Sequence, residues 1–500
     1  MNSGKVCVSI CAETMANLLA KAGEAGLRAD VVELRLDCLA ADELEKFALP
    51  EGRFILTLRP IAEGGRSELS KEERKRFWSS VGSGAGADLE ADVIKTDAVG
   101  KFDPLICSFH DFARGRADLS SSYDTVSNSG APILKIAMTV SDPTDAITVW
   151  RLLARAKADG RGMIPIAMGE AGKWTRILGL AHGAYLTYAA LGSGSETAPG
   201  QISTDELLDV FRVKDLDKST EVYGIIAGDT TYTMSPYVHN AAFKSSDRNA
   251  VFVPFKVADL DQFIRRMVRP ETREIDLNFH GFSVTNPYKQ AVIQYLDDID
   301  EAARKIGAVN TVKVVDGKLH GFNTDVTGFI EPLNSKFGEL VDTRVAVFGA
   351  GGAARAAIYA LKGNGATITI FARDANKGHD LATEFQTNFE QLETGNSKLK
   401  TVLKPFDVIV NATPVGTRGQ HDDESIATAE QLQHVDLVYD LIYNPAETRL
   451  IREAKAAGVE TLGGFDMLIA QAIEQQKIWT GDLPNVGAMS AAARKKLDER

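Results

Sequence analysis

The sequence predicts an α/β protein in two parts: a closed (βα)8 TIM-type barrel, then an open α/β region containing a Rossmann-type nucleotide domain. Three observations predict it. From Lys5 to about Val213, eight short apolar runs alternate with mostly helical links: KVCVSI, DVVELRL, RFILTL, GADLEADVI, PLICSF, ILKIAM, GMIPIAM and AYLTYAAL. After residue 220 strands and helices resume in a different order, with EVYGIIAG, AVFVPF, HGFSVT, ATITIF, DVIVNA and LVYDLI. Within that second part, VAVFGAGGAARAAIYAL sets a glycine-rich turn between a strand and a helix. The polar stretch VKDLDKST, 213–220, reads as a linker. The expected boundaries are 1–215 for the barrel, 220–338 for an α/β domain completed by C-terminal helices at 464–500, and 339–463 for the nucleotide domain.

Two local features refine the barrel. Ser203 and Glu206 have capping-box spacing before LLDVF, which predicts the start of its last helix. Only about ten residues separate Ile94 from Leu105, short for a helical crossover, so the fourth helix is expected to be missing or reduced to a turn.

Composition narrows the function. At 44% hydrophobic and 25% charged, with no apolar run long enough to span a bilayer, the chain reads as a soluble globular protein and not a membrane one. A net charge of −12 argues against a nucleic-acid or anionic-membrane partner. The N-terminus carries no export or transit pattern, so a cytoplasmic location is expected, with a processed plastid form as the other possibility. The four cysteines, Cys7, Cys11, Cys38 and Cys107, match no zinc spacing and read as buried free thiols in a reducing compartment; no metal is expected.

In a (βα)8 barrel the reactive groups stand at the carboxyl ends of the strands. Glu33, Arg35 and Asp37 alternate through VVELRLD and share one face of their strand. Arg59 ends RFILTLR, with Glu63 four residues on; His110 and Asp111 follow PLICSF; Arg176 follows the seventh strand; TAPGQ, 197–201, makes a loop able to fold over a ligand. Lys135 lies within the apolar run PILKIAMTV, where a charged amine is costly to bury. Burial and neighbouring cations favour its neutral form. A neutral amine attacks a carbonyl to give a Schiff base, an electron sink for breaking a bond at the next carbon. His110 is placed to move protons, with Glu33 fixing its tautomer, and the arginines to hold a carboxylate. Singly, each residue has a structural explanation. Together at one barrel mouth they read as a Schiff-base lyase or aldolase.

The ordered set ELRLD, TLR…EGG, SFHDF, ILKIAM, TR and APGQ resembles type I 3-dehydroquinate dehydratase over nearly the whole first half. The resemblance implies Lys135 as the Schiff-base lysine, His110 as the proton-transfer residue oriented by Glu33, and Arg176 as the carboxylate clamp. It implies Arg35, Arg59, Thr197 and Gln201 as substrate ligands, Thr197 standing where serine is common and keeping the hydroxyl.

In the second half, Gly349, Gly351 and Ala354 follow the G-x-G-x-x-[G/A] pattern for a pyrophosphate at a helix N-terminus. The turn Gly349, Ala350, Gly351, Gly352, Ala353 is the expected cofactor cradle. Where an NAD enzyme would carry a ribose-binding acid, Arg373 and Lys377 offer cations for a 2′-phosphate, so NADP(H) is expected; Asp374 beside them argues mildly the other way. Lys289 in SVTNPYK and Asp325 in GFNTD form a candidate proton-transfer pair.

TMSP, SVTNPYK, GAVNT, GFNTD, GAGGAA, NATPVG, YDLIYNP and GGFDMLIAQA, in this order, resemble shikimate dehydrogenase. The resemblance implies Lys289 and Asp325 as the catalytic pair, Thr233 and Ser235 as carboxylate ligands, and Thr285, Asn310, Tyr443 and Gln471 around the substrate. Asn411 and Thr413 of NATPVG are expected at the cofactor. The combined expectation is a bifunctional enzyme that dehydrates 3-dehydroquinate and then reduces 3-dehydroshikimate to shikimate. Two rivals share these folds: a quinate-preferring dehydrogenase and a non-catalytic ligand sensor or repressor.

Overall fold

A computed structural model describes residues 2–94, 100–112, 118–392, 403–419 and 421–499. The chain divides into two compact units, Met1–Pro236 with Asn249–His280, and Tyr237–Arg248 with Gly281–Arg500.

The first unit contains the barrel. Its strands are β1 (Lys5–Ile10), β2 (Val31–Arg35), β3 (Phe54–Thr57), β4 (Gly86–Glu90), β5 (Leu105–Asp111), β6 (Ile133–Thr139), β7 (Gly162–Met168) and β8 (Leu186–Ala190). They pair in parallel in chain order from β1 to β7, and β8 pairs with β1. Tyr185, just before β8, donates its N–H to Met163 O of β7 at 2.8 Å and closes the ring. Cys7, Ile55, Ile106, Ile164, Leu186 and Tyr188 meet in one interior cluster, as a period of two on each strand requires. Lys135 pairs with Ser108 of β5 and Ile164 of β7, in the middle of this sheet.

Several expectations are met or revised here. Between β4 and β5 the described residues form no helix; residues 95–99 of the short link lie outside the described residues. Ser203 Oγ accepts from Glu206 N at 3.3 Å, but the turn it starts, Glu206–Val210, is wound as a π-helix, closed by Phe211 N donating to Glu206 O at 2.9 Å. The stretch read as a linker is docked: Val213 and Leu216 are buried, and Asn2 Nδ2 donates to both of their carbonyls at 2.8 Å. Beyond it, the parallel strands Glu221–Ala227 and Ala250–Lys256 belong to the same unit as the barrel. Asp142 Oδ2 accepts from Ala258 N at 2.7 Å and Asp259 N at 3.1 Å, and Arg212 Nη2 donates to Ala250 O at 2.7 Å. These bonds give the second part's first strands a partner in the barrel.

The cysteine expectation is corrected in part. Cys7 and Cys107 are buried free thiols, but Cys11 and Cys38 form a disulfide with their Cα atoms 5.5 Å apart. The parallel pairing of β1 with β2 brings the two strand ends, and so the two thiols, together.

In the second unit, Gly281–Ser283 pairs antiparallel with Thr311–Lys313, and Thr311–Val315 with Lys318–Phe322. The nucleotide domain is a six-stranded parallel sheet in the order Asn388–Gln391, Thr367–Ala372, Arg344–Phe348, Val408–Asn411, Leu437–Asp440, Glu460–Gly463. Strand Arg344–Phe348 is apolar on both faces because helices cover both: Val345 and Val347 enter one core, Ala346 and Phe348 the other. The strand order reverses between Arg344–Phe348 and Val408–Asn411, which opens a crevice at their carboxyl ends.

Candidate active sites

The barrel gathers its eight expected residues. Lys135, His110, Glu33, Arg35, Arg59, Arg176, Thr197 and Gln201 all line one cavity of about 70 Å³, which shares Arg35, Gly64 and Thr197 with an outer cavity of about 240 Å³. Lys135 is buried, and its charge is met by Asp88, whose Oδ2 accepts from Nζ at 2.7 Å. The Tyr188 ring lies 4.2 Å from the same ammonium. Burial alone would raise the Asp88 pKa, but Arg59 and Lys135 outweigh it and hold Asp88 well below the usual carboxylate range. Arg59 is itself locked by Asp88 and Glu90, each at 2.7 Å.

The histidine's partner differs from the one expected. His110 Nδ1 stands 3.0 Å from Glu63 Oε2, and Glu33 bonds to other groups. Glu33 accepts from Thr57 Oγ1 at 2.7 Å and from Ser9 Oγ, and Ser9 in turn accepts from Thr197 Oγ1 at 2.9 Å. The reason is local: after β3 a 3-10 turn, Ile61–Glu63, folds Glu63 back over the barrel mouth, while Glu33 sits a strand away among hydroxyls. Burial, then Arg59 and Lys135, push the His110 pKa well down, so the ring is neutral. Burial also raises Glu63, to about 7, against the pull of Arg59.

Arg176 is fully buried and pairs with no carboxylate among the described residues; its Nη1 donates only to Tyr188 O, at 3.5 Å. Burial lowers its pKa to about 10, which leaves it cationic. A buried cation without an anion is expensive to keep in the folded chain. Arg35, by contrast, is held by Asp37 through two bonds of 2.9 and 2.8 Å. The loop Thr197–Gln201 is set by Thr197 N donating to Gln201 Oε1 at 2.7 Å, and Gly200, at φ +74°, approaches Gly169 O too closely for any Cβ. Sequence reasoning notes Glu63 at the barrel mouth without giving it a role, and misses Asp88. Period two on GADLE, with Asp88 and Glu90 on one face, was the available signal for the second.

In the second unit, Lys289 Nζ donates to Asp325 Oδ2 at 2.6 Å and Asn310 Nδ2 to Asp325 Oδ1 at 2.8 Å. Gln471 lies on the helix Gly464–Thr480, which packs on the helix Asp325–Phe337 where Gly328 admits it. Thr285 follows the strand ending at Val284 and its carbonyl accepts from Tyr288 N at 2.9 Å; Tyr443 follows the strand Leu437–Asp440. Thr233 and Ser235 fall in the first unit, where Ser235 N donates to Thr233 Oγ1 at 3.2 Å.

The glycine turn fits a dinucleotide. Gly349 adopts φ +117° with Ala412 O 2.7 Å from where a Cβ would stand, and Gly351 faces open space before the helix Gly352–Gly363. Arg373 and Lys377 are exposed beyond the strand Thr367–Ala372. Asp374 is engaged elsewhere, capping the helix Ala375–Phe385 by accepting from Lys377 N at 3.1 Å. The expectation that Asn411 touches the cofactor is corrected. Asn411 is fully buried; its amide donates to Asp440 Oδ1 and Val415 O, and its oxygen accepts from Thr413, so it positions that residue. Among the described residues no group of three or more His, Cys, Asp or Glu side chains is placed to hold a metal, and no helix is long and apolar enough to cross a membrane.

Known proteins share this layout. Family models match in order: type I 3-dehydroquinase over residues 6–218, shikimate dehydrogenase substrate binding domain over 225–312, shikimate/quinate 5-dehydrogenase over 331–441, and shikimate 5′-dehydrogenase C-terminal domain over 464–494. A bifunctional 3-dehydroquinate dehydratase/shikimate dehydrogenase, chloroplastic, from Arabidopsis thaliana is 33% identical over 96% of this chain and 82% of its own length. A shikimate dehydrogenase (NADP(+)) from Methanocaldococcus jannaschii is 39% identical over 56% of this chain and 99% of its own. A crystal structure of a shikimate dehydrogenase in complex with NADP+ superposes with a TM-score of 0.51 at 36% identity, covering 56% of this chain and 97% of that one. With the barrel site in the first unit and the lysine–aspartate pair beside a nucleotide fold in the second, the chain belongs to the family of bifunctional 3-dehydroquinate dehydratase/shikimate dehydrogenases.

Proposed function

We propose that this chain converts 3-dehydroquinate to shikimate in two steps of the shikimate pathway, dehydration at Lys135 and NADPH-dependent reduction at Lys289. The observation that carries the reading is the barrel cavity: a buried amine, a neutral histidine and a buried, unpaired arginine converge on one small space.

Arg176 takes the substrate carboxylate by a two-pronged charged contact. The Lys135 ammonium gives a proton to His110 and the freed amine adds to the ketone; His110 returns that proton to the carbinolamine hydroxyl, which leaves as water to give an imine. The imine draws electrons from the adjacent carbon, and His110 Nε2 removes the proton there, Nδ1–H being held by Glu63. The hydroxyl on the next carbon leaves as water with the proton His110 returns. Hydrolysis of the imine then frees Lys135, so the net change is the loss of one water. Asp88 holds the lysine in line throughout.

At the second site the turn Gly349–Ala353 would hold the pyrophosphate, Thr413 would border it, and Arg373 with Lys377 would take the 2′-phosphate. NADPH, when bound, supplies hydride to the ring carbonyl. Lys289 gives a proton to the carbonyl oxygen, and Asp325, fixed by Asn310, keeps the ammonium aimed. Thr285 and Gln471 bind the ring hydroxyls and Tyr443 lines the same pocket, with shikimate preferred to quinate. Asn310, expected among these ligands, is buried with its amide consumed by Asp325, Thr311 and Thr324, and acts on Asp325 instead. The reading places the enzyme where NADPH is at hand, in the cytoplasm; the Arabidopsis relative is named as chloroplastic. Both sites keep their titratable groups, which a sensor would not need.

The test is the NADPH absorbance after 3-dehydroquinate is added to the purified protein with no other enzyme present. A fall means both sites act in series. No fall, with a fall on 3-dehydroshikimate, overturns the barrel assignment.

A further inference from the structure

The Lys289–Asp325 pair is one end of a buried hydrogen-bond chain that runs to His239, a residue with no part in the proposed reaction. Donor and acceptor chemistry sets each link. Asn310 turns its amide nitrogen to Asp325 Oδ1 at 2.8 Å, which leaves Asn310 Oδ1 as an acceptor. That oxygen takes the Thr311 hydroxyl at 2.8 Å and Thr324 N at 2.8 Å. Thr311 has then spent its single proton, so it accepts from its next neighbour, Gln475 Nε2, at 3.0 Å. Gln475 presents its carbonyl oxygen to His239 Nε2 at 3.0 Å, and a carbonyl only accepts, so the imidazole proton sits on Nε2. His239 Nδ1 is therefore bare and accepts from Gln476 Nε2 at 3.0 Å.

Every link is out of water: His239, Thr311, Asn310, Gln475 and Gln476 are each 2% exposed or less. In such surroundings reversing one link leaves a buried donor facing a donor, with no water to satisfy either. Burial pushes the His239 pKa to about 3, so the ring stays neutral and keeps one tautomer. The chain thus has a single polarity, and its last act is to point the Asn310 amide at Asp325.

We propose that Gln475 and Thr311 are positioning residues for the reduction: through Asn310 they hold the Asp325 carboxylate in the one orientation that aims Lys289 at the carbonyl oxygen. This rests on the reading of Lys289 and Asp325 as the proton-transfer pair. Neither Gln475 nor Thr311 needs to touch substrate.

The test compares Thr311→Val, Gln475→Leu, their combination and Thr311→Ser in the full chain. Dehydratase activity of the same molecules counts the folded protein, and shikimate oxidation with NADP gives kcat and KM. Each of the first two substitutions lowers kcat about tenfold, more than it raises KM, by loss of one oriented hydrogen bond. The double variant falls no further than the worse single one, because the residues act as links of one chain. Thr311→Ser, which keeps the hydroxyl, retains most of the rate. Additive losses in the double variant, kcat within about twofold of the parent in both single variants, or equal damage from Thr311→Ser would each overturn the proposal. Lys289→Met keeps the two readings apart: undiminished reduction in that variant overturns the catalytic pair itself, whatever the other variants do.

Discussion

Glu63 Oε2 lies 3.0 Å from His110 Nδ1, and burial has raised the Glu63 pKa to about 7. As a carboxylate, Glu63 accepts the Nδ1 proton and leaves Nε2 free to act as a base. Protonated, it donates to Nδ1 instead, and the imidazole proton moves to Nε2, where the base is needed. His110 itself is pushed well down by burial, so it is not the group that titrates. Dehydratase kcat/KM is therefore expected to be level above about pH 7.5 and to fall as the pH drops through about 7. Glu63→Gln removes that limb and lowers the rate on the order of 10²-fold. A pH profile of both proteins checks this.

On the proposed reading, Arg176 gives up stability in exchange for binding the substrate carboxylate. Without ligand it is a buried cation with no carboxylate among the described residues. Arg176→Met is expected to stabilise the ligand-free protein by about 1–3 kcal/mol, since an unpaired buried charge is replaced by an apolar chain of similar length. The same change abolishes useful dehydratase activity, while Arg176→Lys raises KM for 3-dehydroquinate about tenfold by losing the fork. Thermal unfolding and initial rates give both answers.

The Lys289–Asp325 pair, with its 2.6 Å contact, should carry the proton transfer of the second step and nothing of the first. Lys289→Met and Asp325→Asn are expected to lower reductase kcat by about 10²–10⁴-fold with dehydratase rates unchanged. Assaying the two reactions separately on one preparation makes each its own control.

Arg373 is exposed beside the nucleotide turn, and Asp374 is engaged as a helix cap. Arg373→Ala should raise KM for NADPH about tenfold and leave KM for NADH nearly unchanged. Steady-state rates with each nucleotide measure the difference.

The barrel site was legible because strand alternation is short-ranged. Knowing that Lys135, Arg35 and Glu33 face inward takes only a period of two, and all eight expected residues line one cavity. What was illegible depends on loops and on neighbours distant in sequence. The turn Ile61–Glu63 decides that Glu63 and not Glu33 reaches His110. Cys11 and Cys38, 27 residues apart, become partners only through the pairing of β1 with β2. Asn411 looked like a cofactor ligand from its motif, but four internal bonds consume its amide. The polar stretch at 213–220 hides two apolar anchors, Val213 and Leu216, whose carbonyls bond to Asn2 at the other end of the barrel sequence. In the second half the Lys289–Asp325 pair was readable from motifs, whereas the chain behind it needs residues 239, 311 and 475 in one place.

The proposed dehydration turns on a covalent imine between Lys135 and the substrate of the barrel. The direct measurement is mass spectrometry of the protein after incubation with 3-dehydroquinate and sodium borohydride, followed by digestion. A borohydride-dependent mass increase equal to the reduced adduct, confined to the peptide containing Lys135 and absent from Lys135→Met, is the predicted result. An unmodified Lys135 peptide in protein that still dehydrates 3-dehydroquinate would contradict it.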